Sequence, residues 1–311
     1  MAITKNRQSP ETISAMAKKA FPDKTITEIK ELTEGMCNVT YDITFADGSE
    51  SILKIAAKDR RGNTSNEIHL MRAEVKAMEL VAQKCSFKVA DIQYYDAGRT
   101  ICDGEYFFME KLEGNNFVFA REEMPEEQVV IIDTELGKIS RELSHIQNAT
   151  FGFLGVEKRY DSLFDFVKQM LANLISDAQN RDIGILYDEQ TFMNQLEKDK
   201  SAFDAIHTAS LVHWDMWEGN VFVKDGHVSG IIDWERAVWG EPFMDERFRM
   251  HNRGKHFLEG FGQTTFTEDE EKRLRWYDII LYLTMMIEVF YREYPDDGQY
   301  LWAREMLEKV M

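Results

Sequence analysis

The hydrophobic pattern of the chain changes its period once, near residue 112, and this change limits the folds that the chain can adopt. From residue 25 to residue 112, short runs of β-branched and aromatic residues alternate with polar residues and turns, which is typical of β-strands. Beyond Gly114, apolar residues recur mostly every three or four positions, which is typical of amphipathic helices. We therefore predict an α+β fold with a small antiparallel-sheet N-terminal lobe and a large, mainly helical C-terminal lobe.

The same pattern places the individual elements. The predicted strands of the N-terminal lobe are 26–33, 38–45, 50–56, 89–97 and 105–112, with helices at 10–20 and 65–83. The predicted helices of the C-terminal lobe are 125–147, 161–178, 188–208, 244–258, 268–294 and 298–309, with short strands at 210–213, 220–224 and 228–232.

Charge and cysteine content limit the partners and the compartment. Lys and Arg number 37 and Asp and Glu number 55, so the formal net charge is −18. This field repels nucleic acid and anionic membranes, so we expect neither as a partner, and it attracts cationic ligands. The three cysteines are far apart, and the first 21 residues contain no apolar signal segment, so we expect a reducing, cytoplasmic location.

Three polar residues stand out between the strand-like runs of segment 211–237. Asp215 and Asn220 lie on the loop that follows the first run, and Asp233 follows the last one. Strands that flank a loop can bring such residues to one point. Carboxylate and carboxamide oxygens bind Mg²⁺ together with substrate phosphates, and a further carboxylate can deprotonate a hydroxyl. The segment therefore predicts a phosphate-handling site.

These residues carry a resemblance to a known family. Residues 213–220 read HWDMWEGN and match the H-x-D-x-x-x-x-N catalytic loop of kinases. Residues 232–235, IDWE, stand where kinases carry the second metal-binding Asp, and residues 240–245 read GEPFMD. This order resembles the aminoglycoside phosphotransferase and choline kinase-like family of small-molecule kinases. The resemblance implies a bilobal, protein-kinase-like fold, with nucleotide-binding lobe 1–111 and C-terminal lobe 112–311 carrying the catalytic loop and acceptor site.

The resemblance also assigns residues of the N-terminal lobe. Lys54, in an apolar strand, looks like the lysine that holds the α- and β-phosphates of ATP, with Glu74 as its ion-pair partner and Glu67 as the second choice. The remaining nucleotide-binding assignments are in the phosphate loop and in the linker between the lobes: Gly35, Asn38, Met109, Glu110 and Leu112. The linker would bind the base through backbone groups, so GTP is not excluded.

By resemblance, the chain transfers the γ-phosphoryl group of ATP to a hydroxyl of a small molecule. Asp215 would be the catalytic base, and Asn220 and Asp233 would hold Mg²⁺. His213 is expected to order the catalytic loop, and Asp245 to cap or anchor the helix predicted after it. Glu235 and Trp217 are candidate residues on the substrate side of the site. The acceptor class and the oligomeric state are left open.

The acceptor class has several alternatives. The acidic charge and the resemblance favour an amino-bearing acceptor such as an aminoglycoside or related antibiotic, which would make antibiotic resistance the biological role. A metabolite kinase of the choline, homoserine, methylthioribose or amino-sugar type is the alternative, as is a kinase-fold nucleotide-binding protein without turnover. A protein kinase is disfavoured, because the phosphate loop has one glycine and no D-F-G triplet occurs at Asp233.

Overall fold

The N-terminal part is built on an antiparallel sheet with the strand order β1-β2-β3-β5-β4. The computed structural model describes residues 5–33 and 38–311. In these ranges the strands of this sheet are β1 (Ile26–Leu32), β2 (Val39–Phe45), β3 (Glu50–Ile55), β4 (Ile92–Asp96) and β5 (Tyr106–Met109). Lys54 in β3 lies opposite Thr40 of β2 and Phe107 of β5, so it stands at the centre of the sheet.

Two helices cover the two faces of this sheet. Helix α1 (Pro10–Ala20) packs on one face through Ile13 and Met16, and helix α2 (Leu70–Lys84) packs on the other through Met71 and Val75. Because both faces are covered, β3 is buried along nearly its whole length. This burial explains why the lysine is surrounded by apolar residues in the sequence.

Helix α2 begins five residues later than predicted, at Leu70 rather than at residue 65. The segment 64–69 forms turns because its polar groups bind a distant helix. Ser65 donates from its N–H and its Oγ to the two carboxylate oxygens of Asp177, and Asn66 Nδ2 donates to the Met170 carbonyl. His69 then adopts a left-handed conformation with φ of 52°.

The C-terminal part is mainly helical. After the short strand β6 (Asn115–Asn116), the structure describes helices α3 (Phe117–Ala120), α4 (Glu126–Ser144), α5 (Leu163–Asn180), α6 (Glu189–Lys198), α7 (Lys255–Phe261), α8 (Glu268–Tyr291) and α9 (Gly298–Val310). Within the described ranges, no helix is both long and apolar enough to cross a membrane.

The prediction of a helix over 244–258 is wrong. Two 3₁₀ turns, Pro242–Met244 and Glu246–Phe248, occupy its start, and the helix there begins only at Lys255. Asp245 ends the first turn and caps the second by accepting a hydrogen bond from the Arg247 N–H. The helix predicted over 188–208 likewise ends at Lys198, and a 3₁₀ turn follows it at Lys200–Phe203.

Short strands hold the loops of segment 211–237. The remaining strands are β7 (Gln147–Asn148), β8 (Gly152–Phe153), β9 (Ala209–Val212), β10 (Val221–Lys224), β11 (His227–Ile231) and β12 (Val238–Gly240). They form two small antiparallel sheets with the orders β11-β10-β6 and β7-β9-β12-β8. Since β9 pairs with β12 and β10 with β11, the loops that follow β9 and β11 are brought to the same place.

Candidate active site

The loop after β9 is ordered by His213. Its Nδ1 accepts a hydrogen bond from the Asp215 N–H at 3.2 Å, and its Nε2 lies 3.0 Å from the Ile232 carbonyl. Burial lowers the pKa of His213 to about 4, so the ring is neutral near pH 7. The two contacts fix the tautomer, because the nitrogen that accepts must be Nδ1 and the one that donates must be Nε2. The ring therefore joins the loop after β9 to the loop after β11.

Asp245 fixes the same loop from the other side. Its Oδ2 accepts a hydrogen bond from the Trp214 N–H at 3.1 Å, and the Glu246 N–H donates to the Trp214 carbonyl at 3.1 Å. Trp214 has a φ of 74°, a left-handed conformation that is strained for a bulky residue. Asp245 thus holds the loop after β9 and also caps the 3₁₀ turn that follows Asp245, instead of the α-helix that the sequence predicted.

Asp215 lies between these anchors with its side chain directed into a charged environment. Burial raises the pKa of Asp215 to about 7; the Arg236 guanidinium opposes this rise, and the carboxylates of Asp233 and Glu246 add to it. A carboxylate with a pKa near neutrality is able to take a proton from a hydroxyl and to release it again.

Asn220 and Asp233 are placed side by side by backbone pairing. The Ile232 N–H donates to the Asn220 carbonyl at 3.0 Å, and Asn220 Nδ2 donates to the Asp215 carbonyl at 2.8 Å. The amide nitrogen is thereby used within the loop, so the amide oxygen is the atom that can bind a cation. Asp233 has a φ of 65°, so the backbone turns sharply where this carboxylate emerges.

Lys54 joins the N-terminal sheet to this site. Its Nζ lies 2.7 Å from Glu74 Oε2, 2.5 Å from Asp233 Oδ1 and 3.7 Å from Glu235 Oε2. The ion pair between Lys54 and Glu74 that the sequence predicted is therefore present. Glu67, the second choice, does not contact Lys54 in the described structure and pairs instead with Arg236 and Arg292.

The three carboxylates around Lys54 form a set of hard oxygen donors. One oxygen from each of Glu74, Asp233 and Glu235 lies within 4.8 Å of the others. Burial raises the pKa of Glu74 to about 8, whereas burial of Asp233 is outweighed by the Lys54 ammonium, which keeps the pKa of Asp233 below its usual value. One ammonium faces three acidic groups, so the cluster has room for more positive charge. The donor chemistry fits Mg²⁺.

A hydrogen bond joins Asn38, just before β2, to Glu235, in the turn after β11. Glu235 is buried, and Asn38 Nδ2 donates to its Oε2 at 2.5 Å. This contact places Asn38 beside Glu235, whose Oε2 lies 3.7 Å from Lys54 Nζ. Gly35, the other phosphate-loop residue predicted to bind nucleotide, lies outside the described residues.

The linker residues line the junction of the two parts. The Met109 carbonyl accepts a hydrogen bond from Ser51 Oγ at 3.1 Å, and the Glu110 N–H donates to the Asp91 carbonyl at 2.9 Å. The Leu112 side chain packs on Gly230 of β11 so closely that a Cβ at Gly230 would lie 2.6 Å from it. The linker is thereby fixed against the strand that leads to Asp233.

Trp217 is an exposed aromatic residue on the loop after β9. The Trp217 side chain is 43% exposed. Its indole covers Gly219, where an added Cβ would lie 2.2 Å from the ring. The neighbouring Glu218 pairs with Arg121. The loop therefore presents an indole to solvent two residues after Asp215.

The structure adds residues to the site that the sequence analysis missed. The Arg236 guanidinium lowers the pKa of Asp215, and Glu246 is a buried acid whose N–H donates to the Trp214 carbonyl in the loop after β9. Arg236 immediately follows the IDWE motif, and this adjacency was the only signal in the sequence. Its partners, Glu67 and Glu288, are remote in sequence, so no local pattern points to them.

The comparisons with known proteins agree with this geometry. Residues 28–277 match the family model described as the phosphotransferase enzyme family. None of the curated proteins matches the chain significantly.

Solved structures match over nearly the whole chain. A thermostable mutant of aminoglycoside phosphotransferase APH(4)-Ia, in a ternary complex with ADP and hygromycin B, is 14% identical; the match covers 96% of this chain and 97% of that one, with a TM-score of 0.67. The streptomycin–ATP complex of APH(2″)-IIa is 16% identical, covers 97% of both chains and has a TM-score of 0.62. The GDP and kanamycin complex of a further APH(2″) protein is 17% identical, covers 96% and 97%, and has a TM-score of 0.64.

These likenesses confirm the predicted bilobal, protein-kinase-like α+β fold, and the family match confirms the resemblance on which the prediction of a phosphotransferase rested. The chain belongs to the phosphotransferase enzyme family.

Proposed function

We propose that the protein transfers the γ-phosphoryl group of ATP to a hydroxyl group of a small, amino-bearing molecule, with an aminoglycoside or related antibiotic as the favoured acceptor. The observation that carries this proposal is the convergence of Lys54, Asp233 and the Asp215 loop at the junction of the sheet and the helical part. We also propose that residues 1–111 bind the nucleotide and that residues 112–311 carry the catalytic loop and the acceptor site.

Nucleotide binding is assigned to the charged groups around Lys54. Once nucleotide enters, the Lys54 ammonium would exchange part of its contact with Asp233 for the α- and β-phosphates, while Glu74 keeps its side chain in place. Asn220 and Asp233 would hold Mg²⁺, which neutralises charge on the phosphate oxygens when bound. Asn38, Met109, Glu110 and Leu112 would line the nucleotide, and since the linker contacts are backbone groups, GTP is a second candidate donor.

Asp215 is assigned the role of general base. Its carboxylate would accept the hydrogen bond of the acceptor hydroxyl, orient the oxygen towards the γ-phosphorus and take the proton as the new bond forms. The anchors at His213 and Asp245 keep the carboxylate in one place, so little reorganisation is needed during the reaction.

Acidic groups near Asp215 support an amino-bearing acceptor. Glu246 is buried, its Oε1 accepts hydrogen bonds from His251 and Asn252, and its Oε2 has no hydrogen-bond partner among the described residues. The charge of Glu246 lies close enough to Asp215 to raise the pKa of that residue. Negative surroundings of this kind favour a cationic acceptor over an anionic one. The exposed indole of Trp217 offers a flat surface for the rest of such a molecule.

The test is a coupled ADP-release assay with Mg·ATP and a panel of acceptors. The panel contains aminoglycosides, other amino-bearing antibiotics, choline, homoserine, methylthioribose and amino sugars. We expect at least one amino-bearing acceptor to stimulate ADP release, and Asp215→Asn to lower the rate by about 10²–10⁴-fold, as loss of a general base does. Asp225→Asn is the matched control, because Asp225 is exposed in the β10–β11 turn and its left-handed conformation suits Asn.

The outcomes separate the alternatives. Stimulation by a metabolite alone would replace the antibiotic with that metabolite as acceptor. Nucleotide binding without stimulation by any member of the panel would favour a nucleotide-binding protein without turnover. A variant Asp215→Asn that turns over like the wild type would remove Asp215 from the mechanism, and absence of nucleotide binding would contradict the whole proposal.

A further inference from the structure

A buried network of four charged side chains lies behind the candidate active site. Arg236 Nη2 is shared between Glu67 Oε1, at 3.1 Å, and Glu288 Oε2, at 2.8 Å. Arg292 pairs with the same two acids, through Nη2 to Glu67 and through Nη1 to Glu288 at 3.2 Å. Two arginines and two glutamates balance in charge, and each side chain is at least four-fifths buried.

The network reaches the N-terminal part through Glu67. Glu67 Oε2 accepts hydrogen bonds from the N–H and the Oγ1 of Thr64, so its side chain braces the turns that precede α2. The same turns are bound to α5 through Ser65 and Asn66. Glu67 precedes α2 in the chain, and Glu74, which binds Lys54, lies in the first turns of that helix. Glu67 thus helps to hold the turns that lead into the helix carrying Glu74.

The network reaches the metal-binding turn through Arg236. Arg236 ends the 3₁₀ turn Trp234–Arg236, which starts directly after Asp233. The Trp234 indole is fully buried; its Nε1 donates to the Ile231 carbonyl at 3.0 Å, and its ring stacks on Phe87 just beyond the end of α2. The turn that carries Asp233 is thus fastened to α2, and through Glu288 to α8.

We propose that Arg236 is a positioning residue that sets the placement of Asp233 relative to the Lys54–Glu74 pair, and thereby the affinity for metal-bound nucleotide. A buried ion pair is weak evidence for added stability, because desolvation offsets much of its attraction, but it can specify one arrangement of the parts it joins. Here one guanidinium joins the segment before α2, the Asp233 turn and α8. This proposal rests on the proposed function only in the tests that measure nucleotide binding. The hydrogen-exchange test does not require it.

The first test needs no substrate. Hydrogen exchange is compared in the nucleotide-free full chain for the wild type, Arg236→Gln, Arg236→Lys and the control Arg61→Gln, whose side chain is exposed and paired with Asp59. We expect Arg236→Gln to speed exchange at both the Asp233 turn and the start of α2, with partial rescue in Arg236→Lys and no change in Arg61→Gln. Unchanged exchange at either segment in a folded Arg236→Gln variant would overturn the proposal.

The second test measures the dissociation constant of Mn·ADP by calorimetry, well below the melting temperature of each variant. Removing a residue that orients metal ligands without touching the metal weakens metal binding by about 10–100-fold. We expect an effect of this size for Arg236→Gln. The conservative Arg236→Lys should recover part of it. If Arg236→Gln lowers only the melting temperature and leaves the dissociation constant within about twofold of the wild type, the role is structural and the positioning role is refuted.

A double variant tests whether Arg236 acts through Glu67. If it does, Glu67→Gln combined with Arg236→Gln weakens Mn·ADP binding no more than Arg236→Gln alone, because both changes break the same link. Multiplication of the two single effects would overturn this route. Should the wild type itself bind no Mn·ADP, the proposed function fails, and the exchange data still decide whether the network holds the two segments together.

Discussion

At the scale of single residues, Asp215 and His213 are two titratable groups whose loss of hydration has opposite consequences for their proposed roles. Burial favours the neutral form of both, but neutrality keeps the histidine in its ordering role and blocks the aspartate from acting as a base. In the proposed mechanism, the proton on Asp215 must therefore leave before the acceptor hydroxyl can be activated. This difference gives the reaction a defined dependence on pH.

We predict that kcat/KM rises with pH through an apparent pKa of about 7, the value that burial gives Asp215. The sign follows from the base being active only when ionised, and kcat/KM reports ionisations of the free enzyme. His213 should add no inflection near neutrality, since its pKa is about 4. The measurement is initial rates across neutrality with one stimulating acceptor.

The control for that profile is nucleotide binding by Asp215→Asn over the same pH range. Burial also raises the pKa of Glu74, to about 8, and binding by this variant reports the carboxylates around Lys54 without Asp215. An inflection near 7 that appears equally in this control, or a flat kcat/KM profile, would show that Asp215 does not limit the rate.

The sequence was sufficient to predict which residues of the contiguous motifs lie close together. Lys54 was singled out because it stands in an apolar strand and resembles the kinase lysine, and Asp215, Asn220 and Asp233 were singled out from one short segment. Strand pairing makes neighbours of residues that are close in sequence, whereas the roles of these residues stay predictions. Arg236 acts through partners contributed by a turn before α2 and by α8. Such pairs are set by tertiary packing, which a single sequence does not show.

At the scale of elements, helices α4 and α7 pack closely against each other next to the candidate active site. A Cβ at Gly260 would lie 2.1 Å from the Thr134 carbonyl oxygen, and one at Gly137 would lie 2.1 Å from the Phe257 carbonyl oxygen. The two backbones touch at these glycines. From the same stretch of α4, Asp133 pairs with Arg247, and Glu135 accepts a hydrogen bond from the Val228 N–H of β11. Close packing of the helices thus places two acids that brace the catalytic segments.

We predict that Gly260→Ala lowers the free energy of unfolding by about 1–3 kcal/mol, because the methyl group forces two backbones apart. The measurement is urea unfolding followed by circular dichroism. Gly254→Ala is the matched control: it is the N-cap of the same helix, where the nearest atom to an added Cβ is 4.0 Å away. Ala caps a helix less well than Gly, but its smaller freedom in the unfolded chain offsets this loss, so we expect a net change within about 0.5 kcal/mol. Equal effects of the two changes would mean that the close approach does not determine stability.

Element boundaries were predictable where capping residues mark them. Helix α8 begins where the Thr267–Glu270 capping box and its acidic first turn indicate. The failure over 244–258 has a specific cause: Arg247 and Arg249 are buried there, and their guanidinium groups donate to carbonyls of Met216 and Leu274. From the sequence, two arginines are expected to face solvent. In the structure they are buried, and their hydrogen bonds hold the chain in turns.

At the scale of the whole molecule, the net charge of −18 acts differently on the two proposed substrates. A cationic acceptor is attracted towards the protein, whereas Mg·ATP carries net negative charge and is repelled until it reaches the Lys54 region. Salt weakens both effects, since raising the ionic strength from about 20 mM to about 200 mM shortens the Debye length from roughly 20 Å to roughly 7 Å. Salt should therefore weaken the binding of the acceptor and should not weaken the binding of Mg·ATP.

We predict that this increase in ionic strength raises the KM of the amino-bearing acceptor several-fold and leaves the KM of Mg·ATP unchanged or lower. The measurement is initial rates in NaCl series at fixed pH and fixed free Mg²⁺, with each substrate varied against saturating amounts of the other. Comparing the two substrates on one enzyme is the internal control, because general damage by salt would raise both KM values together. An acceptor KM that is insensitive to salt would indicate that recognition does not depend on the charge of the acceptor, and it would favour a neutral hydroxyl compound in its place.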